Sequence, residues 1–162
     1  MADEALRAVE KVWFTNLVTL EERDVQFNPV ELSHSIAAEY TLFTAVGASY
    51  QPQQYSHTTN REFSVTLQFK VEGEQELDDF SNTFNFLTAC LHPFEYGGAP
   101  PEVLFTWPNL ASVIVRILSL NTKHVQFDAQ LHPTRTDIDV VMRTIRKGGK
   151  LYDEVRENGL ME

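Results

Sequence analysis

Residues 61–71 read REFSVTLQFKV, and this stretch decides the fold class. Apolar side chains occupy every second position from Phe63 to Val71, and polar side chains fill the positions between them. Because successive side chains of a strand point to opposite faces, this pattern is typical of a strand with one buried face and one wet face. We therefore predict a half-buried β-strand here.

Similar alternation recurs at residues 12–20, 125–131 and 138–142. Residues 103–107 (VLFTW) and 110–120 (LASVIVRILSL) lie on either side of Pro108 and Asn109, which predicts two strands around a turn. The second of these strands has apolar residues on both faces, so we expect it to lie centrally in its sheet. Most of the chain is predicted to be β.

The period changes between residues 74 and 91, where apolar residues are spaced three and four apart. This spacing predicts an amphipathic helix with acidic residues in its opening turns, which suit the positive end of the helix dipole. One helix between blocks of strands, without βαβ alternation, favours antiparallel sheets. The predicted apolar face consists of Leu77, Phe80, Phe84, Leu87 and Leu91.

Two stretches are predicted to be loops. Residues 42–60 contain no Asp, Glu, Lys or Arg, and form either a mobile loop or an uncharged contact surface. The length of this segment favours a functional role. Residues 93–101 contain Gly97-Gly98 and Pro100-Pro101 and are typical of a connector.

The 162 residues fit one domain with a net charge of −10. Residues 1–134 hold seven Lys and Arg against seventeen Asp and Glu, so the acid lies in the body of the domain. Without a basic cluster, tight binding of nucleic acid is disfavoured. A negative surface would repel a polyanion passing along a conduit, although acidity also serves ordinary solubility.

No apolar run reaches the roughly 20 residues that span a bilayer, because Ser112, Arg116 and Ser119 interrupt the longest one. The chain is therefore not expected to insert in a membrane. Its acidic N-terminus does not resemble a secretory signal, so the protein is expected to be made and kept in a cytoplasm.

No catalytic residue, metal site or cofactor is predicted. Cys90 and His92 lie at the helix end, where a buried thiol and a capping histidine are the ordinary interpretation. Asp137 and Asp139 share one face of a predicted strand and could bind a hard cation or act as an acid–base pair. Their more ordinary role is the wet face of that strand, beside Arg135.

The order of the segments resembles the tube domain of contractile injection systems. The matching pieces are VQFNP at residues 25–29, R-x-x-S-V-T-L-x-F at 61–69, PPEVLFTW at 100–107, and the strands at 115–120 and 127–143. Their order agrees over roughly residues 20–146. The resemblance implies a mainly β (α+β) fold: two orthogonally packed antiparallel sheets forming a small barrel, flanked by the helix at about 74–91. Residues 1–147 would form this domain and residues 148–162 a tail with a possible short helix.

The resemblance also implies the function. Six copies would form a homo-hexameric ring whose strands line a channel, and rings would stack. The chain would be a structural virion protein of the tail, assembled in the bacterial host cytoplasm. It would be a tube initiator or a hub adaptor at the baseplate that joins the tail tube to the spike hub. Adaptors often carry a C-terminal LysM module, and this chain ends too soon to hold one.

The partners implied are neighbouring tube, spike hub and baseplate proteins, with DNA or protein cargo only in passage. Alternatives are the main tail tube protein, a monomeric β-barrel binding module with a pocket at Trp13 and Trp107, or a tail chaperone that never enters the particle. The uncharged loop supplies the candidate assembly contacts, which are Tyr50, Gln51, Pro52, Gln53, Gln54 and Tyr55.

Polar faces of the paired strands supply the candidates for the channel lining. For any one of these residues, a position on the plain outer surface is an equal alternative. They are Glu62, Gln68, Gln126, Asp128, Asp137 and Asp139.

Overall fold

The computed structural model describes residues 10–145, which form nine strands and one helix. The strands are β1 (Trp13–Asn16), β2 (Glu22–Asp24), β3 (Leu32–Ser35), β4 (Ala38–Leu42), β5 (Gln53–Thr58), β6 (Glu62–Lys70), β7 (Val103–Trp107), β8 (Ala111–Phe127) and β9 (Pro133–Thr144). The helix α1 (Glu74–Ala89) connects β6 to β7. The predicted C-terminal tail lies outside the described residues.

Seven strands form one antiparallel sheet in the order β2-β1-β7-β8-β9-β6-β3. The other two, β4 and β5, pair only with each other in a second antiparallel sheet. The mainly β class with one flanking helix is confirmed, and β8 lies centrally as predicted.

The small barrel is not closed by strand pairing within residues 10–145, because β2 and β3 remain the two ends of the sheet. Strand β2 has only three residues, and the chain leaves it toward Pro29, which has no N–H to extend a ladder. The side chain of Gln26 makes the closing contact instead. Its Nε2 donates to Lys70 O at 2.8 Å, and its Oε1 accepts from Lys70 N at 2.7 Å.

The two antiparallel sheets are present as predicted, but the smaller one, β4 and β5, does not pack on the larger one. Every residue of β4 and β5 is exposed, so this second sheet buries nothing against the first. A two-stranded ribbon of five and six residues lacks enough apolar surface to form half of a core. We call this hairpin, residues 38–58, the arm.

The core lies between α1 and the apolar face of the large sheet. The alternation of β6 is realised in full, since Phe63, Val65, Leu67 and Phe69 are all buried. Within the helix, Phe86 and Leu87 are buried, and the rings of Phe80 and Phe69 pack edge to face with centroids 5.3 Å apart. The predicted helical face is confirmed at Leu87, which is buried, and at Phe80, Phe84 and Leu91, which pack against the core, whereas Leu77 is 46% exposed.

Three strand boundaries differ from the prediction. Strand β1 ends at Asn16, and the chain then turns through Leu20 at φ 58°. Strand β8 ends at Phe127, and Leu131 occupies a turn at φ 66°. The predicted loop at 42–60 contains strand β5. In all three cases the side-chain pattern gave the local polarity of the chain, but it did not show which backbone segments form hydrogen bonds with each other.

Candidate assembly surfaces

The wet face of β6, β8 and β9 forms one continuous surface, which we call the polar face. Cross-strand pairing places Gln68 opposite Asp137, and Asp137 in turn opposite Lys123. The next step along the same strands places Thr66, Asp139 and Asn121 side by side. The structure therefore brings together five of the six predicted channel-lining residues, namely Glu62, Gln68, Gln126, Asp137 and Asp139.

Two of the three acids on the polar face accept hydrogen bonds from polar or basic side chains. Asp139 accepts hydrogen bonds from Thr66 Oγ1 at 2.7 Å and from Lys123 Nζ at 3.0 Å. These contacts, that of Thr66 first, lower the pKa of Asp139. Glu62 accepts from Arg143 Nη2 at 2.9 Å.

The charge of this face differs from that of the whole chain. On β6, β8 and β9 the polar face carries five basic and three acidic residues, whereas the chain has a net charge of −10. The acid therefore lies elsewhere, including the first turn of α1 with Glu74 and Glu76. The residues are Lys70, Arg116, Lys123, Arg135 and Arg143 against Glu62, Asp137 and Asp139.

Asp128, the sixth predicted lining residue, lies in the turn between β8 and β9. Its Oδ1 accepts from the backbone N–H of Gln130 and of His132, both at 2.8 Å. Its Oδ2 lies 3.1 Å from His132 Nδ1. These contacts, led by the His132 N–H, lower the pKa of Asp128. The side chain therefore holds a turn together at one end of the polar face.

The six predicted contact residues all belong to the arm, but they divide between two parts of it. Tyr50, Gln51 and Pro52 lie in the connection, and Gln53, Gln54 and Tyr55 open strand β5. The rings of Tyr40 and Tyr55 lie across the hairpin, 5.8 Å apart.

At the base of the arm, Thr59 N donates to Ala37 O at 2.8 Å, and Ala37 N donates to Thr59 Oγ1 at 2.9 Å. The exposed apolar side chains on the arm are Tyr40, Leu42, Phe43, Val46, Tyr50 and Tyr55. The arm has Glu39 as its only Asp, Glu, Lys or Arg, and with this much exposed apolar surface it suits a contact with another protein.

A long unpaired strand edge is the feature that the sequence did not reveal. Strand β7 pairs with β8 only as far as Val115, whereas β8 continues to Phe127. From Arg116 onward, β8 has β9 on one side and no strand partner on its other side among the described residues. At one end of the sheet, β3 pairs with β6 and with no other strand of residues 10–145. We call these the β8 edge and the β3 edge.

The pairing of β8 with β9 shifts register at three places, and at two of them β8 carries a bulge that interrupts the β8 edge. Pairing with β9 passes from Ile117 to Ser119 and from His124 to Gln126, so Leu118 and Val125 are extra residues. Burial changes phase at the first bulge, because odd positions are buried up to Ile117 and even positions, Leu120 and Thr122, are half-buried after it. This phase change is visible in LASVIVRILSLNT and was the available sequence signal.

The described residues hold no cluster of three metal-binding side chains. Cys90 is buried beside Asn16, and burial raises the pKa of its thiol to about 11. It is therefore an inert thiol at neutral pH. Trp107 packs against the core. No helix in residues 10–145 has the length and apolarity needed to cross a membrane.

Comparison with known proteins identifies a family. The family model for contractile injection system tube proteins matches residues 5–150. No curated protein matches the chain. Among solved structures, the chain is similar to one in the baseplate of the anti-feeding prophage, with 14% identity, a TM-score of 0.43, and 89% of this chain and 97% of that chain covered.

Two further similarities are to gene transfer agent particles. One is to a chain in the tail of an empty particle with C6 symmetry, with 11% identity, a TM-score of 0.41, and coverage of 85% of this chain and 92% of that chain. The other is to a chain in a native virion, with 11% identity, a TM-score of 0.38, and coverage of 87% and 95%.

Proposed function

Because the chain belongs to the contractile injection system tube protein family, we propose that it forms a ring-shaped layer of the inner tube at its baseplate end. Members of this family are structural components and not enzymes. In this proposal the chain acts as a tube initiator or hub adaptor, and six copies join the tube to the spike hub. The finished ring resides in the tail after assembly in the host cytoplasm.

The observation that carries the proposal is the pair of free edges. Strands β8, β9, β6 and β3 lie side by side in one layer, with the β8 edge on one side and the β3 edge on the other. Long unpaired edges are hazardous in a monomer, because they offer hydrogen-bonding groups to any passing strand. Head-to-tail pairing of two different edges closes into a ring when the rotation per copy divides a full circle.

The polar face would line the channel of this ring, with Glu62, Gln68, Gln126, Asp137 and Asp139 toward the lumen. The opposite face of the sheet is buried in the core and packs against α1, so it cannot line a water-filled channel. Asp128 would lie at the rim of the channel, in the turn that it organises.

The arm would contact a neighbouring ring or subunit through Tyr50, Gln51, Pro52, Gln53, Gln54 and Tyr55. The physical support is its exposure together with its lack of Asp, Glu, Lys and Arg between residues 40 and 60. Since the arm adds nothing to the core, its apolar side chains are available for this contact. Tube, spike hub and baseplate proteins are the proposed partners.

Light scattering coupled to size-exclusion chromatography, with negative-stain images, tests the ring. The expected particle is a closed ring of about 111 kDa, six times the 18.5 kDa chain. A tube initiator can require a template, so the measurement is made on the purified chain and again after co-expression with neighbouring tail proteins. A chain that remains monomeric at high concentration in both settings contradicts the proposal.

The main tail tube protein is the alternative within the same family. The images separate the two functions, since a tube protein assembles into long stacks of rings, whereas an initiator forms one ring on its template.

A further inference from the structure

We propose that residues 119–124 of the β8 edge are the acceptor site for β3 of a second copy, and that the two bulges fix the register of this contact. The inference rests on the proposed ring and names the strands that would join its subunits. We call residues 119–124 the acceptor segment. It reads SLNTKH and lies between the extra residues Leu118 and Val125.

The bulges limit where a regular strand can pair. In a strand, backbone N–H and C=O groups point alternately to the two sides, so an inserted residue shifts the phase of the groups along the free edge. An incoming strand without a matching bulge can follow only one phase. Such a strand therefore cannot continue across Leu118 or across Val125. It must pair entirely before, between or after the two bulges.

The acceptor segment is the only uncovered stretch of β8 long enough for a short strand. Strand β7 covers β8 as far as Val115, which leaves two residues, Arg116 and Ile117, before the first bulge. Beyond the second bulge, Gln126 and Phe127 precede the turn. Six residues remain between the bulges, and β3 has four.

The strand pairing across the sheet shows that β3 lies at nearly the same height along the strands as the acceptor segment. Leu32 pairs with Val65, Val65 with Val140, and Val140 with Leu120. In the same way Ser35 pairs with Glu62, Glu62 with Arg143, and Arg143 with Arg116. A rotation about an axis roughly along the strands brings β3 of one copy beside β8 of the next with a shift of only a few residues.

Strand β4 is a poorer candidate for the acceptor segment. It pairs with β5 in a separate sheet, so no strand pairing places it at the level of residues 119–124. Strand β3 runs opposite to β8, because three antiparallel pairings separate them. The rotation preserves these directions, so the contact is antiparallel.

Only two registers of β3 on the acceptor segment keep each side chain on its own face of the sheet. Ser33 lies on the polar face opposite Ser64, and Asn121 and Lys123 lie on the same face opposite Asp139 and Asp137. A one-residue slip would place Ser33 against the core side of the sheet. Within the six residues, therefore, Ser33 faces either Asn121 or Lys123. Strand β3 reads LSHS and brings no charged Asp, Glu, Lys or Arg to the contact.

Disulfide scanning in the full-length protein tests this arrangement. Ser33→Cys is combined in turn with Ser119→Cys, Asn121→Cys, Lys123→Cys and Gln126→Cys, and copies are oxidised in the ring. Directly opposite residues have Cβ atoms about 4.5–5.5 Å apart, near disulfide range, whereas diagonal neighbours are about 7–8 Å apart. We expect covalent oligomers from Asn121→Cys or from Lys123→Cys, and none from the other two positions.

Removal of Leu118 tests the role of the bulge. The deletion restores regular alternation from Ile117 into Ser119 without changing the pairing of β8 with β9, so the subunit should fold. The regular edge then permits slippage toward Arg116, and a new crosslink between Ser33→Cys and Ser119→Cys should appear. Leu118→Ala keeps the extra residue and is the matched control, which should retain the native crosslink alone.

Each outcome has a distinct meaning. A protein that stays monomeric contradicts the proposed ring, and therefore also the contact between β3 and the acceptor segment. Rings that crosslink at Ser119 or Gln126, or at none of the four positions, overturn the acceptor segment while leaving the ring intact. Identical crosslinks with and without Leu118 overturn the role of the bulge. If the deletion variant does not fold, the four-position scan still decides the contact.

Discussion

Gln26 shows how one side chain can substitute for a strand. Its amide presents a donor and an acceptor to the backbone of Lys70, as a neighbouring strand residue would. The chain just after β2 is thereby tied to the end of β6, where backbone pairing alone leaves a gap. A glutamine at this position therefore has a structural reason that composition does not reveal.

Replacing Gln26 by Glu should destabilise the domain by about 0.5–1.5 kcal/mol, because the carboxylate cannot donate to Lys70 O. Urea unfolding followed by circular dichroism measures the change. Gln53→Glu, on the exposed arm, is the matched control and should have a much smaller effect. Equal stabilities for the two variants would argue against a closing role for Gln26.

Asp128 should make the turn between β8 and β9 sensitive to acid. Its pKa is lowered in the folded state, so its contribution is present above the unfolded pKa of about 3.9 and is lost as the pH falls through the folded pKa. The backbone N–H signals of Gln130 and His132 in NMR spectra should shift across this acid range. In Asp128→Asn the same signals should lose that transition, and a retained transition would assign it to another group.

At the scale of the element, the apolar face of α1 packs on the core from Phe80 onward but not at its first turn. Leu87 is fully buried, whereas Leu77 is 46% exposed, although both belong to the same helical stripe. Leu87→Ala should cost about 2–5 kcal/mol, and the matched change Leu77→Ala should cost well under about 1 kcal/mol. Chemical denaturation measures both. Similar losses would mean that the whole stripe is packed in solution.

The arm should be separable from the fold. Replacing residues 38–58 by a short Gly-Ser linker removes no core residue and keeps Ala37 and Thr59 at the junction. We expect a folded domain that fails to join tail particles in an incorporation assay. A linker replacement of the connector residues 94–98 is the control. Normal incorporation without the arm would refute its proposed contact role.

The sequence predicted elements whose burial is one-sided. Strand β6 and helix α1 were located within a few residues, because a core selects apolar side chains at a fixed period. The arm was predicted as a loop because β4 and β5 bury nothing, so no period marks them. The β8 edge was not predicted, because an edge is defined by where β7 stops and not by the residues of β8.

The proposed lining residues show the same limit. Alternation on β6 and β9 placed Glu62, Gln68, Asp137 and Asp139 on one face, and the structure agrees. The composition suggested an acidic conduit, but the polar face carries more basic than acidic residues. Net charge alone does not specify which residues share a surface. Asp128 does not lie on the polar face, because its carboxylate accepts hydrogen bonds from the backbone N–H groups of Gln130 and His132 in the turn.

At the scale of the whole molecule, stability should depend on concentration. If ring formation covers the β8 and β3 edges, the assembled state binds folded copies only, and mass action raises the melting temperature. Dilution by about a hundredfold should lower the melting temperature of the protein in conditions that support rings. A melting temperature that is constant across this range would mean that the edges stay uncovered.

The position of β1 has a consequence for how the subunit is made. Strand β1 pairs with β7, whose partner residues are numbered 103–106, and β6 pairs with β9, which ends at Thr144. A nascent chain therefore cannot complete the sheet until β9 has left the ribosome, and at about 5–20 residues per second synthesis to that point takes on the order of ten seconds. Until then no copy has both joining edges in one layer. In the proposed ring, assembly would therefore wait for chains that have completed this sheet, so the supply of folded subunits, rather than translation of any one of them, would set when a tube can begin.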